Sequence, residues 1–321
     1  MDIPFIYKYK PSNINDFELN SNIRDTIKSL IEMDSLNILF IGNSGCGKSS
    51  LIQSIVKEYY NGVSNYKDNI LEINSLKEQG IQYYRNEVKT FCQICSSIPN
   101  KKKIVILDDL HLINDQSQQV FRNCIDKYSS NVHFISSTCN IQKIIESIQS
   151  RKMLIKINSL NKENLTNILK KIINKEKIIL AKNVENVLIS FCNGSVRILL
   201  NYLEKIKLLN KKINMNLIES LCSNISFLIF DDYTNYILKG EIKQAIKIFF
   251  DLYEKGYSVM DIYDNYFLYL KNFSKLDEIL KYEFIKILCK YISIFHNIHE
   301  NEIELALFTN SLFKCITPIK L

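Results

Sequence analysis

The sequence predicts an α/β P-loop domain, a parallel sheet with helices on both faces, followed by all-helical regions. Three observations carry this. Gly42-Asn43-Ser44-Gly45-Cys46-Gly47-Lys48-Ser49 fits the pattern G-x-x-x-x-G-K-[ST] and lies between an apolar run and a helical stretch. Short apolar runs alternate with helical periodicity as far as about residue 158, which is the signature of a parallel sheet covered on both faces. Beyond that point no strand pattern recurs, and Ile, Leu, Phe and Tyr fall at three- and four-residue spacing.

The elements follow in order. Residues 1–35 carry a loop, Tyr7-Lys8-Tyr9-Lys10-Pro11, then a helix through Ile23, Ile27 and Leu30. Leu36 to Ile41 reads as a buried strand, and after the glycine loop a helix runs from Lys48 to about Tyr60. A strand at Asn69–Ile73 precedes a helix from Ile81 to about Cys95. Ile104 to Leu107 is a strand ending in Asp108-Asp109. A helix at 114–128, a strand at 131–137 and a short strand at 153–157 complete the α/β pattern. Helices are expected at 162–175, 183–192, 195–208 and 215–222, and throughout 228–321. The division this implies is an α/β domain over 1–158, a small helical domain over 159–224 and a C-terminal helical domain over 225–321.

Composition narrows the class. Of 321 residues, 46% are hydrophobic and 23% charged, a globular balance. No run of about 18 apolar residues is present to predict a transmembrane helix, and the N-terminus lacks a signal-peptide pattern, so an intracellular location is expected. Nine scattered cysteines, an odd number, read as reduced thiols. Cys92 and Cys95 are closely spaced, but structural zinc wants four ligands, so two thiols on one helix is the expectation. His111, His133, His296 and His299 are dispersed and are expected to form no site, nor is a Cys/His nucleophile arrangement evident. The net charge of +7 permits a polyanionic partner. Among 41 basic residues only five are arginines: Arg24, Arg85, Arg122, Arg151 and Arg197. Arginine retained in a lysine-rich chain marks places that use a planar, permanently charged fork.

The glycine loop states its chemistry most directly. Glycines let successive backbone N–H groups turn toward phosphate oxygens, and the following helix adds the positive end of its dipole. Lys48 is expected to reach the β- and γ-phosphates of ATP, and Ser49 to ligate Mg²⁺. Asp108, at the end of an apolar strand some 60 residues on, is the matching second acid for the metal. Asp109 follows where a base for the attacking water is expected, one methylene shorter than a glutamate.

Here a family resemblance becomes specific. Pro4-Phe5-Ile6-Tyr7-Lys8-Tyr9-Lys10-Pro11 is similar to the P-W-x-x-K-Y-R-P that borders the adenine in AAA+ clamp loaders of the replication factor C small-subunit type. Asn74-Ser75 followed by Gly80-Ile81 resembles N-A-S-D-x-x-G-I. Leu107-Asp108-Asp109, then Gln118-Gln119 and Arg122, resembles L-D-E-A-D…Q-Q-A-L-R-R. Lys143-Ile144-Ile145-Glu146-Ser147-Ile148-Gln149-Ser150-Arg151 resembles K-I-I-E-P-I-Q-S-R-C, and Gly194-Ser195-Val196-Arg197 resembles the G-D-M-R of sensor 2. The motifs occur in the family's order. After residue 225 only helical pattern and length match its oligomerising collar.

The resemblance implies an AAA+ ATPase that, with other large and small subunits in a heteropentamer, loads a ring-shaped sliding clamp of the PCNA type onto primer–template DNA. It implies a nucleus or viral replication compartment as location. It implies nucleotide contacts from Tyr9, Lys10, Pro11, Gly42 to Ser50 (Gly42, Asn43, Ser44, Gly45, Cys46, Gly47, Lys48, Ser49, Ser50) and Arg197. Arg151 matches the finger inserted into a neighbouring subunit's site, and Arg85, Arg122 and Lys143 match DNA-contacting or DNA-sensing positions. Val88 and Phe91 match a clamp-facing tip. For sensor 1, ungapped counting from Lys143 gives Cys139, and a one-residue shift gives Asn140. Asn140 is preferred because an amide orients water and phosphate better than a thiol. The family's D-E-A-D becomes Asp108-Asp109-Leu110-His111, which predicts slow hydrolysis. Two other readings stand beside this one: a loader subunit that binds nucleotide with little hydrolysis, and another AAA+ replication ATPase.

Overall fold

The computed structural model describes residues 3–61, 63, 65–75, 80–180, 184–192, 194–209, 218, 225, 227–272, 274, 276–295 and 298–316. Five strands carry the first half: β1 (Ile38–Ile41), β2 (Ile70–Asn74), β3 (Lys103–Asp108), β4 (Val132–Thr138) and β5 (Met153–Lys156). They pair in parallel in the order β2-β3-β4-β1-β5. The central strands read as nearly continuous apolar runs because helices cover both faces.

Strand alternation sorts the core into two layers. Ile38, Phe40, Ile104 and Ile106 fall on one face, with Leu51, Ile55 and Tyr59 of helix Lys48–Tyr59. Leu39, Val105, Leu107 and Phe134 fall on the other, with Phe121 and Ile125 of helix Asp115–Tyr128. Successive side chains point to opposite faces, so each strand supplies both layers. All seven residues of β4 are buried, as its central place requires. On the edge strand β5, Met153 and Leu154 are exposed.

Most element positions agree with the sequence reading to within two residues. The Tyr7–Pro11 loop differs, because Phe5–Lys8 forms one helical turn closed by N–H bonds from Tyr7 and Lys8 to the Pro4 carbonyl. The helix at 81–93 is not uniform. Ile81–Tyr83 is α-helical, Tyr84–Val88 forms a π turn, and Lys89–Gln93 returns to α, ahead of an extended Ile94. Val88 is completely buried there, in the layer with Tyr84, Cys92 and Phe121. A residue with no exposed surface cannot present itself to a clamp, so the placement of Val88 at a partner-facing tip is corrected. Phe91 is half-buried beneath the Lys103 ammonium, and the exposed apolar group at this end is Ile94.

Backbone proximity divides the chain into two units, Met1–Lys177 with Cys192–Glu204, and Ile178–Phe191 with Lys205–Leu321. The second contains helices Phe227–Lys239, Ile242–Glu254, Val259–Asn272, Glu278–Ile294 and Ile303–Ile316. Aromatic rings fill its core, with Tyr233 stacked on Phe249 at 3.8 Å between centroids. Its buried hydroxyls are paired, Tyr233 with Thr309 at 2.9 Å and Thr234 with Tyr266 at 3.2 Å, as burial of such groups demands. The helix expected at 215–222 lies outside the described residues apart from Ile218, as does His296. Among the described residues no helix is long and apolar enough to cross a membrane.

Candidate functional site

The carboxyl ends of β1, β3 and β4 lie side by side, and the glycine loop leaves the sheet there. Crevices at this end are where open parallel sheets bind ligands. Gly45 and Gly47 take φ of +77° and +97°, the left-handed region that glycine enters without a Cβ penalty. A Cβ at Gly45 would also meet the Ser195 hydroxyl at 2.3 Å, so the loop passes directly beneath the start of helix Val196–Leu209.

Lys48 is the first residue of the following helix and is 5% exposed. Its ammonium donates to the carbonyls of Gly42 at 2.8 Å and Asn43 at 2.9 Å, and lies 3.4 Å from the Cys139 thiol. The Ser49 hydroxyl donates to Asp108 Oδ2 at 2.6 Å. Asp108 Oδ1 accepts from the Ser137 hydroxyl, and the Asp108 carbonyl accepts from the Ser75 hydroxyl. Register explains the first of these: Leu107 of β3 pairs with Ser136 of β4, which puts Asp108 level with Ser137. Ser49 and Asp108 thus converge two hard oxygens, and oxygen donors suit Mg²⁺.

Asp109 adopts φ +53°, a conformation that costs a non-glycine residue about 1–2 kcal/mol. Its N–H donates to Ser137 Oγ at 3.2 Å, and its carboxylate lies 3.9 Å from Cys139 Sγ. The N–H of Cys139 in turn points to His111 Nδ1 at 3.5 Å. The expectation that His111 stands apart from every site is therefore corrected: the turn Leu110–Leu112 folds it back against the end of β4. Asn140 is directed elsewhere. Its Oδ1 accepts from Gln142 N at 2.9 Å and caps the turn Ile141–Lys143. The side chain beside Lys48 and Asp109 is Cys139, so the sequence preference for Asn140 at that position is corrected by the cap that engages its amide.

A cavity of about 670 Å³ adjoins the loop. Tyr9, Lys10, Pro11, Gly45, Gly47 and Arg197 are among its lining residues, which brings the N-terminal segment, the glycine loop and Arg197 around one space. The Tyr9 hydroxyl donates to Glu176, and burial, together with that carboxylate, pushes its pKa up to about 12. Arg24, which sequence reasoning left without a role, also lines the cavity and donates to the Phe17 carbonyl at 2.9 Å.

The remaining arginines are placed as follows. Arg85 and Lys143 are exposed. Arg122 is partly exposed and lies 3.8 Å from Asp126. Arg151 donates through Nε to Asp126 and at 2.8 Å to the Ser147 carbonyl. Next to it Lys152 is buried, with its ammonium on Ser136 Oγ and over the Phe121 ring; burial pushes its pKa down to about 7. Gln118 is fully buried and ties two loops together, donating to the carbonyls of Ile113 and Lys143 and accepting from Ile145 N. Ser137 and Asp126 have no role in the sequence reading. A run of hydroxyl residues at the end of a buried strand, Ser136-Ser137-Thr138, was the signal for the first.

Comparison with known proteins relates the chain to two families. Residues 38–160 match the ATPase family associated with various cellular activities (AAA), and residues 228–292 match the replication factor C C-terminal domain. The chain is 28% identical over 287 residues to replication factor C subunit 4 of Oryza sativa subsp. japonica, covering 89% of this chain and 85% of that one. It is 27% identical to replication factor C subunit 4 of Saccharomyces cerevisiae, over 89% of this chain and 88% of the relative. It is also 27% identical to a putative replication factor C small subunit of Acanthamoeba polyphaga mimivirus, over 84% of each chain. In fold it is similar to the RuvB Holliday junction branch migration motor of Thermotoga maritima, with TM-score 0.52 at 11% identity over 71% of this chain and 79% of that one.

Proposed function

We infer the function from one premise: this chain is an AAA-family ATPase that carries a replication factor C C-terminal domain. It acts as a small subunit of a clamp loader, coupling ATP to the placement of a ring-shaped clamp on primed DNA. The observation that carries the reading is the convergence of Lys48, Ser49 and Asp108 at the end of the sheet, in a chain whose relatives are replication factor C subunits over most of its length. The C-terminal match favours the loader over other replication ATPases.

In this reading Lys48 exchanges its two carbonyl partners for phosphate oxygens, and backbone N–H groups of Gly42 to Ser50 cradle them. Tyr9, Lys10, Pro11 and Arg197 border the rest of the nucleotide. Ser49 and Asp108 would hold Mg²⁺, which when bound would neutralise charge on the phosphates. Asp109 accepts the proton of the attacking water, with its backbone fixed by Ser137. Its short side chain makes this step slow. Cys139 occupies the sensor 1 position, and Arg151 completes a neighbouring subunit's site. Arg85, Arg122 and Lys143 contact or sense the DNA backbone, and Phe91 with Ile94 faces the clamp. Three functional regions, 1–158, 159–224 and 225–321, serve as ATPase, lid and collar of a heteropentamer in a nucleus or viral replication compartment.

The test is reconstitution. The chain, co-expressed with its large and small partner subunits, should place a PCNA-type clamp on primed circular DNA in an ATP-dependent manner. Failure of a folded, fully assembled complex to load any clamp overturns the reading.

A further inference from the structure

The family motif D-E-A-D is replaced here by Asp108-Asp109-Leu110-His111, and a cysteine stands where the resemblance places an amide. The fold brings the two replacements together. A carboxylate oxygen of Asp109, a ring nitrogen of His111 and the Sγ of Cys139 all lie within 4.8 Å of one another. Asp109 and Cys139 are 3.9 Å apart, and the His111 ring is 3.5 Å from the Cys139 amide. We propose that Asp109, His111 and Cys139 form a site for a thiophilic divalent cation of the zinc class.

Geometry and donor chemistry both support it. Tetrahedral zinc takes sulfur at about 2.3 Å and nitrogen or oxygen at about 2.0–2.2 Å, so its ligands stand roughly 3.5 Å from one another. The Asp109 and Cys139 donors, 3.9 Å apart, are close to that spacing, and all three donor atoms lie within 4.8 Å of one another before any side-chain adjustment. Each is carried by a constrained backbone: Asp109 by its left-handed conformation, His111 by a single 3₁₀ turn, Cys139 by the end of β4. One carboxylate, one imidazole and one thiolate form a borderline-soft set that suits zinc better than magnesium. Three protein ligands with a fourth position open to water is the arrangement of accessible zinc sites. On binding, the Cys139 thiol gives its proton to solvent and the sulfur takes the metal in its place. The Lys48 ammonium, 3.4 Å from that sulfur, opposes the cation, which sets the affinity below that of closed structural sites.

The consequence rests on the proposed function. A metal here engages Asp109 while leaving Ser49 and Asp108 free, so it arrests hydrolysis without removing nucleotide binding. Zinc would be an inhibitor acting at the base rather than at the phosphate loop.

Binding is tested on the full-length, nucleotide-free, reduced chain by titration with cobalt(II). One equivalent should produce a near-ultraviolet thiolate charge-transfer band and visible bands of tetrahedral intensity, and one equivalent of zinc should bleach them. Both signals should vanish in Cys139→Asn and in His111→Ala and persist in the double variant Cys92→Ser, Cys95→Ser. Signals that survive Cys139→Asn, or disappear only with Cys92 and Cys95, overturn the site. If Cys139→Asn fails to fold by circular dichroism, His111→Ala carries the comparison. Because no nucleotide, clamp or DNA is present, failure of the clamp-loading reading leaves the spectra unchanged. In the assembled loader with only this subunit's ATP site intact, zinc should then lower ATP turnover at least tenfold and leave nucleotide affinity within twofold.

Discussion

Arg151 and Asp126 form an ion pair within the chain, and the same aspartate lies 3.8 Å from Arg122. Both side chains are partly exposed, so the pair contributes no more than about 1 kcal/mol. If Arg151 serves a neighbouring site, it must leave Asp126 to do so. Asp126→Ala should therefore raise ATP turnover at that neighbour severalfold in the assembled complex, about the factor that 1 kcal/mol allows. Arg151→Ala should lower it by about 10³ while this subunit's own nucleotide affinity is unchanged. Steady-state turnover with only the neighbour's site intact measures both. Damage confined to this subunit's own site would show that Arg151 acts in cis.

Lys48→Ala removes the group that closes the glycine loop on itself. Nucleotide affinity, read by calorimetry, should fall at least a hundredfold, and an unchanged affinity would refute the phosphate role. The fold should survive, because the carbonyls of Gly42 and Asn43 can turn to water.

Asp109 combines strain with chemistry. Asp109→Gly relieves the left-handed backbone and should raise the melting temperature by a few degrees, the effect of about 1 kcal/mol. The same change should abolish hydrolysis. Asp109→Glu restores the longer reach and should increase turnover severalfold. Equal turnover in the Gly, Glu and parent chains would remove Asp109 from the reaction.

Lys152 gives a pH dependence with a definite sign. Its folded pKa, about 7, lies below the ordinary 10.5, so the unfolded chain binds the extra proton between these values. The penalty of burying the ammonium is complete below about pH 7 and is relieved as pH rises toward 10.5. Lys152→Met should raise the melting temperature at pH 7 by several degrees and flatten its rise between pH 7 and 10. An unaltered pH slope would mean that Lys152 does not remain buried.

The sheet was legible because each layer leaves a trace in the chain. Ile38 and Phe40 on one face, with Leu39 on the other, follow from alternation within a short apolar run. The glycine loop was legible because a phosphate cradle restricts both residue type and spacing. What sequence could not reach was lateral placement. Ser137 meets Asp108 through strand register, and His111 meets Cys139 through a 3₁₀ turn, neither of which has a linear spacing rule. Asn140 was preferred for its chemistry, yet its amide caps the next turn. Val88 lies on a helix whose π turn changes the face that any regular 3.6-residue count assigns.

That π turn at Tyr84–Val88 behaves as one residue inserted into an otherwise regular helix. Deleting a single residue there would restore α geometry and rotate everything downstream by about 100° relative to the first turn. Cys92 would swing out of the core, and exposed residues such as Lys89 would turn inward. The helix would keep its hydrogen bonds and lose its seat on the sheet. A deletion scan across 81–93 should accordingly find these five positions intolerant as a block, whichever of them is removed.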